Sequence, residues 1–304
     1  MKPTDIRIIG APVGIGGGHT GTAHGPTAAR AAGIVERLQR AHPDATTHDA
    51  GDAFGHVPLA ENRLKDVAAC CAQLRAQTKA TVLDGMMPIV IGGDHSLAVG
   101  SMAGVAAARR AQGEVPPGLL WIDAHTDINT HETTPSGNPH GMSAAALIGL
   151  DTLHLSDVVG RDGLFDPSRM VYIGTRDVDP GEQVHIDQHD ITVFTSQEVK
   201  DRGVNAVMSD ALAIVAPQCE PFALTFDIDV LDPDIAPGVD TAVPNGLALD
   251  DVRTCLTRAA THAPILAIDM VELNPEKDID NRTALIAVEC IEALVQACST
   301  IQRT

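Results

Sequence analysis

An α/β fold with a mainly parallel sheet is predicted by three observations. Short continuous apolar runs recur along the chain, amphipathic helical patterns alternate with them, and polar clusters follow the C-terminal ends of several runs. A strand that is apolar throughout needs cover on both faces, as in parallel sheets held between helix layers. Such sheets place their ligand sites beyond the carboxyl ends of the strands, so the polar clusters are the candidate functional residues. With 304 residues and 44% hydrophobic content the chain can bury a sizeable core. Aromatics are only 2%, so Ala, Val, Ile and Leu must build that core. No linker, repeat, charge run or low-complexity tract divides the chain, and one domain spanning 1–304 is expected.

The elements follow in order. Residues 6–10 form a first buried strand, ending in Gly and Pro. The glycine-rich stretch 14–21 lacks the Gly-Lys-Ser/Thr ending of a phosphate loop and the spacing of a dinucleotide fingerprint, so it reads as a loop near a pocket mouth. Pro26 suits the first turn of a helix running to about Arg40. A packing helix is predicted over 64–80, a strand over 88–91, and an Ala-rich helix to about Arg110. Further strands are expected at 119–122, 170–174, 222–226 and 265–271, with helices at 204–215, 249–260 and 281–301.

The formal charge is −19, from 21 Lys and Arg against 40 Asp and Glu. That disfavours nucleic acid and anionic membranes as partners and suits a small cationic substrate. The six cysteines include no Cys-x-x-Cys pair, and several fall among apolar helical neighbours as small core residues. Together with the absence of a signal-peptide or membrane-length apolar run, this predicts a cytoplasmic protein.

Asp123, His125 and Asp127 sit at alternate positions after one predicted strand, and Asp227 and Asp229 repeat the spacing after another. Alternate side chains of an extended segment face one way, so each set could converge on a divalent metal or simply face solvent. Adding His95 gives four aspartates and two histidines from three strand ends, an oxygen-rich set without thiolate that suits two metals and favours Mn²⁺.

Gly92-Gly93-Asp94-His95-Ser96, Asp123-Ala-His125-Thr-Asp127 and Asp227-Ile-Asp229-Val-Leu-Asp232-Pro233 resemble, in order, the three signature motifs of the ureohydrolase family, which includes arginase, agmatinase and guanidinobutyrase. The likeness extends from residue 10 to Glu272. It implies a three-layer α/β/α fold, two Mn²⁺ per subunit, and a homotrimer or homohexamer. On that resemblance His95, Asp123, Asp127 and Asp227 would bind one metal, and Asp123, His125, Asp227 and Asp229 the other. His140 would shuttle a proton, Glu272 would grip the guanidinium, and Thr241 would line the same pocket. Because a guanidinium carbon is a poor electrophile, the chemistry expected is attack by a metal-bridging hydroxide, which Asp127 would orient.

Within the family, the loop carrying Asn129, Ser136 and Asn138 looks like the arginase segment that holds an α-carboxylate. Asp179 looks like the acid that meets the α-ammonium. Three residues depart from the usual pattern: His19, where some arginases carry arginine, His131 on the expected pocket rim, and Asp240 beside Thr241. The expected activity is hydrolysis of L-arginine to L-ornithine and urea. Alternatives are agmatinase or another guanidino-acid hydrolase such as guanidinobutyrase, and a non-catalytic metal-binding subunit.

Overall fold

The structure, a computed structural model, describes residues 4–55, 57 and 62–301. Its strands are β1 (Ile6–Ala11), β2 (Thr47–Asp52), β3 (Met87–Gly92), β4 (Gly118–Ile122), β5 (Met170–Thr175), β6 (Thr192–Thr195), β7 (Phe222–Asp227) and β8 (Ile265–Val271). They form one eight-stranded sheet in the order β2-β1-β3-β8-β7-β4-β5-β6. Each neighbouring pair in it is parallel. The six inner strands, β1, β3, β8, β7, β4 and β5, are the apolar runs anticipated from sequence. The edge strands β2 (THDAGD) and β6 (TVFT) escaped that reading, because an edge strand is partly exposed and needs no unbroken apolar run.

The helices are α1 (Gly25–Ala31), α2 (Ile34–Ala41), α3 (Arg63–Leu83), α4 (Ala98–Ala111), α5 (Ser143–Leu147), α6 (His154–Val159), α7 (Pro180–Gln188), α8 (Ser196–Arg202), α9 (Val204–Val215), α10 (Leu249–His262) and α11 (Arg282–Ile301). Consecutive strand residues enter opposite cores. Ile8, Ile89 and Leu120 pack with α1, α2 and α8 to α11, whereas Ile9, Val90 and Trp121 pack with α3 to α7. The result is a three-layer α/β/α sandwich, with the period-two alternation of each strand dividing the core in two.

The single helix expected from Pro26 to Arg40 is instead α1 and α2. Gly33 between them has φ +83, a left-handed conformation that closes one helix and starts the next at a new angle. On the opposite face α3 and α4 touch backbone to side: a Cβ on Gly100 would lie 2.4 Å from the Cys71 carbonyl oxygen. Cys70, Cys71, Cys255 and Cys290 are buried, and all six cysteines are free thiols. Burial pushes the thiols of Cys255 and Cys290 up to about 12, so they behave as small apolar core residues. No helix among the described residues is long and apolar enough to cross a membrane.

Candidate metal centre and substrate pocket

Four central strands deliver the site. Just past β3, Asp94 accepts the Ser96 amide and caps a one-turn helix that carries His95. The His95 ring is buried and stacks on Trp121 at 4.3 Å between centroids, while its Nε2 lies 2.9 Å from Thr225 Oγ1 on β7. With Nε2 turned to Thr225, Nδ1 is the ring nitrogen left to bind a metal held among the carboxylates. It lies 3.0 Å from Asp123, 3.1 Å from Asp127 and 3.2 Å from Asp227.

Asp123 follows β4 and accepts from Trp121 Nε1 at 2.8 Å and from the His125 amide at 2.7 Å. His125 Nδ1 lies 3.1 Å from Asp229 and 3.5 Å from Asp123. Asp227 closes β7 and accepts the Asp229 amide at 2.8 Å. The convergence does not come from alternation along extended strands. β4 ends at Ile122, the following segment is a loop in which Asp127 has φ +50, and Asp229 sits in a one-turn helix. Turn geometry after each strand, rather than the two-residue strand period, aims these side chains.

Among the described residues two groups of donor atoms lie close enough to hold a metal: His95, Asp123 and Asp227, and Asp123, His125 and Asp229, so Asp123 is common to both. Asp227 falls in the first group only, and Asp127 reaches that first group through His95. The chemistry of the set fits divalent cations. Burial drives the Asp227 carboxyl well above its ordinary range, and the charges of Asp229 and Asp123 push it further. Burial alone would depress His95, yet Asp123, Asp127 and Asp227 together lift its imidazole well above the ordinary value. The protons drawn to these groups mark a deficit of positive charge that two metal ions would fill.

Beside the cage opens a cavity of about 240 Å³ whose lining includes His125, Asp127 and Asp227 together with His140, Glu272 and Thr241. Asn129, Ser136, Asn138, Asp177, Asp179 and Glu182 also line it. Glu272, with φ +62 just past β8, accepts from the His95 amide at 2.8 Å and from His140 Nδ1 at 3.0 Å through one oxygen. Its other oxygen, Oε2, is buried with no hydrogen-bond partner among the described residues. Burial works against charge on His140, but Glu272, Asp127 and Asp94 hold it protonated and raise its pKa to about 9.

On the outer wall Asn129 Nδ2 donates to Asp179 at 2.9 Å, and Thr133 Oγ1 donates to Asn129 Oδ1 at 2.9 Å. Asn129 therefore keeps one amide hydrogen for a ligand. Ser136 Oγ accepts the Asn138 amide at 3.2 Å, and Thr241 Oγ1 lies 3.4 Å from Asp229.

The three departures from the family pattern lie off the cavity wall. His131 Nδ1 pairs with the Asp151 carbonyl at 3.0 Å. Asp240 is engaged by Asn274 Nδ2 at 2.6 Å and by Lys277 at 2.9 Å, and His19 is exposed outside the lining. The glycine-rich loop does reach the site: Gly16 donates its amide to Asp94 and accepts the His140 amide.

Several residues were not singled out from sequence. Glu182 caps α7 through Asp179, accepts the Ile128 amide at 3.0 Å, and lines the cavity with its pKa pushed by burial up to about 7. Arg176 donates to the carbonyls of Asp229, Val230, Leu231 and Val243, pinning the loop that carries Asp227 and Asp229. The Thr175-Arg176-Asp177 run after an apolar strand was the available signal for Arg176; its carbonyl partners lie far away in sequence and leave no local trace.

An all-parallel sheet with an Asp/His cage beyond its central strands, opening on an acid-lined pocket, defines the architecture of a metal-dependent hydrolase. Residues 4–296 match the model of the arginase family, and the chain belongs to that family. It is 37% identical to an arginase of Bacillus caldovelox over 306 residues, covering 97% of this chain and 98% of that protein. Against arginase-1 of Rattus norvegicus the identity is 35% over 315 residues, covering 99% and 94%. The crystal structure of an arginase from Bacillus subtilis superimposes with a TM-score of 0.87 at 33% identity, covering 96% of this chain and 98% of that one.

Proposed function

We propose that the protein is an arginase, hydrolysing L-arginine to L-ornithine and urea with two Mn²⁺ per subunit. The observation that carries this reading is a cavity lined both by the cage residues His125, Asp127 and Asp227 and by Glu272, whose buried Oε2 has no hydrogen-bond partner among the described residues. His95, Asp123, Asp127 and Asp227 would hold one ion, and Asp123, His125, Asp227 and Asp229 the other. When bound, the ions supply positive charge that balances the four aspartates and acidifies a water for attack on the guanidinium carbon.

The chain's own residues do the rest. Glu272 accepts guanidinium N–H groups through Oε2 and turns the carbon toward the cage. Asp127, at the junction of cage and cavity, orients the attacking water. As the C–N bond to the side-chain nitrogen breaks, that nitrogen needs a proton, and His140, protonated at neutral pH, is placed to give it. Asn129, Ser136 and Asn138 offer neutral donors to the α-carboxylate, and Asp179 offers an acceptor to the α-ammonium. The outer wall thereby favours an α-amino acid over agmatine, which lacks the carboxylate.

The ligands come from turns at the end of one sheet, which supports a single catalytic domain over 1–304. We infer further that the protein is a cytoplasmic homotrimer or homohexamer, a state that light scattering of the purified protein measures. A panel of L-arginine, agmatine and 4-guanidinobutyrate, run on protein of known metal content, tests the activity. Urea and ornithine from L-arginine alone are expected. Turnover of agmatine but not L-arginine would overturn the substrate, and two bound metals without any turnover would favour a non-catalytic subunit.

A further inference from the structure

The α-carboxylate end of the proposed substrate meets an electrostatic difficulty. The cavity wall carries Asp127, Asp177, Asp179, Glu182, Asp227 and Glu272, and none of its lining residues is Lys or Arg. Protonated His140 and the proposed ions offset part of this charge, and an anionic group at the Asn138 wall is favoured further by positive charge and correctly turned donors behind it. Arg63, the first residue of α3, supplies both. Its Nη2 donates to Asn138 Oδ1 at 3.2 Å, and its Nη1 donates to the Gly17 carbonyl at 2.8 Å. Asn138 lines the cavity, and the Gly16–Gly17 segment lies against His140, whose amide donates to Gly16.

A guanidinium has donors and no acceptor, so it can face only the oxygen of a carboxamide. Its bond to Oδ1 therefore fixes which way the Asn138 amide is turned and leaves the Nδ2 hydrogens for another acceptor. Among the described residues Arg63 has no carboxylate partner; both of its contacts are neutral oxygens. Helix α3 does not benefit from a cation in its first turn, where the dipole disfavours one. The arginine's two bonds instead tie together the specificity loop and the glycine-rich loop, 75 and 46 residues away in sequence.

We propose that Arg63 is a positioning residue for α-carboxylate recognition, turning the Asn138 amide to donate into the cavity and setting a positive charge behind that wall. The inference rests on the arginase reading above. The test compares Arg63→Met, Arg63→Lys, Asn138→Ala and the Arg63→Met/Asn138→Ala double variant, all loaded with Mn²⁺ and assayed on L-arginine. Arg63→Met should raise KM about tenfold while kcat stays within about twofold, the pattern of lost binding away from the reacting atoms. The inhibition constant of agmatine, a guanidine without a carboxylate, should move less than about twofold. Arg63→Lys, keeping the charge and one contact, should recover part of the loss. In the Asn138→Ala background the Arg63→Met change should cost less than about threefold, because the amide it sets is gone.

L-Ornithine binding by calorimetry should weaken in parallel with the rise in KM. An unchanged KM, an equal loss for L-arginine and agmatine, or a tenfold effect in both backgrounds would overturn the role of Arg63. Wild-type protein that neither hydrolyses L-arginine nor binds L-ornithine would instead sink the arginase reading itself.

Discussion

Asp123 is the residue on which the cage depends most. It is common to both groups of donor atoms, fully buried, and fixed by Trp121 Nε1 and the His125 amide. Replacing it by Asn keeps the shape and removes a charge both ions would share. Asp123→Asn should weaken metal binding by at least about tenfold and abolish urea release, which metal analysis after dialysis and a urea assay would measure together. Retention of two ions with full turnover would contradict the assignment. His140 tests the proton-transfer role separately, since it lies outside both donor groups. His140→Ala should lower kcat by about 10²–10⁴-fold with metal content intact, as expected for loss of a general acid. These residues were legible in the sequence because ligand chemistry needs particular side chains at fixed spacings. Thr225, Trp121 and Arg176 were not, because the first two meet His95, which arrives from the end of β3, and the third meets carbonyls of a folded loop.

At the scale of elements, the central strands were legible from composition alone: each is apolar on both faces because each lies between two helix layers. The break between α1 and α2 was harder to read, since a lone glycine in a helical pattern does not announce a left-handed backbone until the neighbours are placed. The contact of α3 with α4 is equally silent in sequence. It rests on Gly100, where a methyl group would press on the Cys71 carbonyl. Gly100→Ala should therefore destabilise the fold by about 1–3 kcal/mol, because the added methyl overpacks a helix contact with no room to relax. Denaturant titration would measure this, and an unchanged midpoint would mean that the helices can separate without penalty. The position of β2 and β6 at the sheet margins explains why they were missed. A strand half-covered by solvent carries mixed residues that pattern reading assigns to loops.

For the molecule as a whole, buried charge sets the dependence of stability on pH and on metal. Asp269 lies on β8, fully buried, with one oxygen accepting the Ser101 hydroxyl at 2.5 Å and the other unpartnered among the described residues. Burial raises its pKa to about 7, well above the ordinary carboxylate range in an unfolded chain. Between about pH 4 and pH 7 the folded protein thus holds a proton that the unfolded chain has released, and stability falls as pH rises through that window. Asp269→Asn removes this titration. In metal-free protein the variant should lose less stability from pH 5 to pH 8 than wild type, by on the order of a few kcal/mol in denaturant titrations. An identical slope would mean that Asp269 is ionised throughout. Removing metal should lower Tm by about 5–10 °C, since ions that bind only the folded cage stabilise it by mass action. The sheet order has a consequence for divergence within the family. The cage is carried by the ends of β3, β7 and β4, with Glu272 supplied by β8 between β3 and β7, whereas on the proposed reading the substrate's far end would be met by the loop after β4 and by the start of α7. Lineages of this fold can therefore exchange that loop and acquire a new substrate while inheriting the hydrolytic centre unaltered, so the segment 129–138 is where related enzymes of different specificity should differ first.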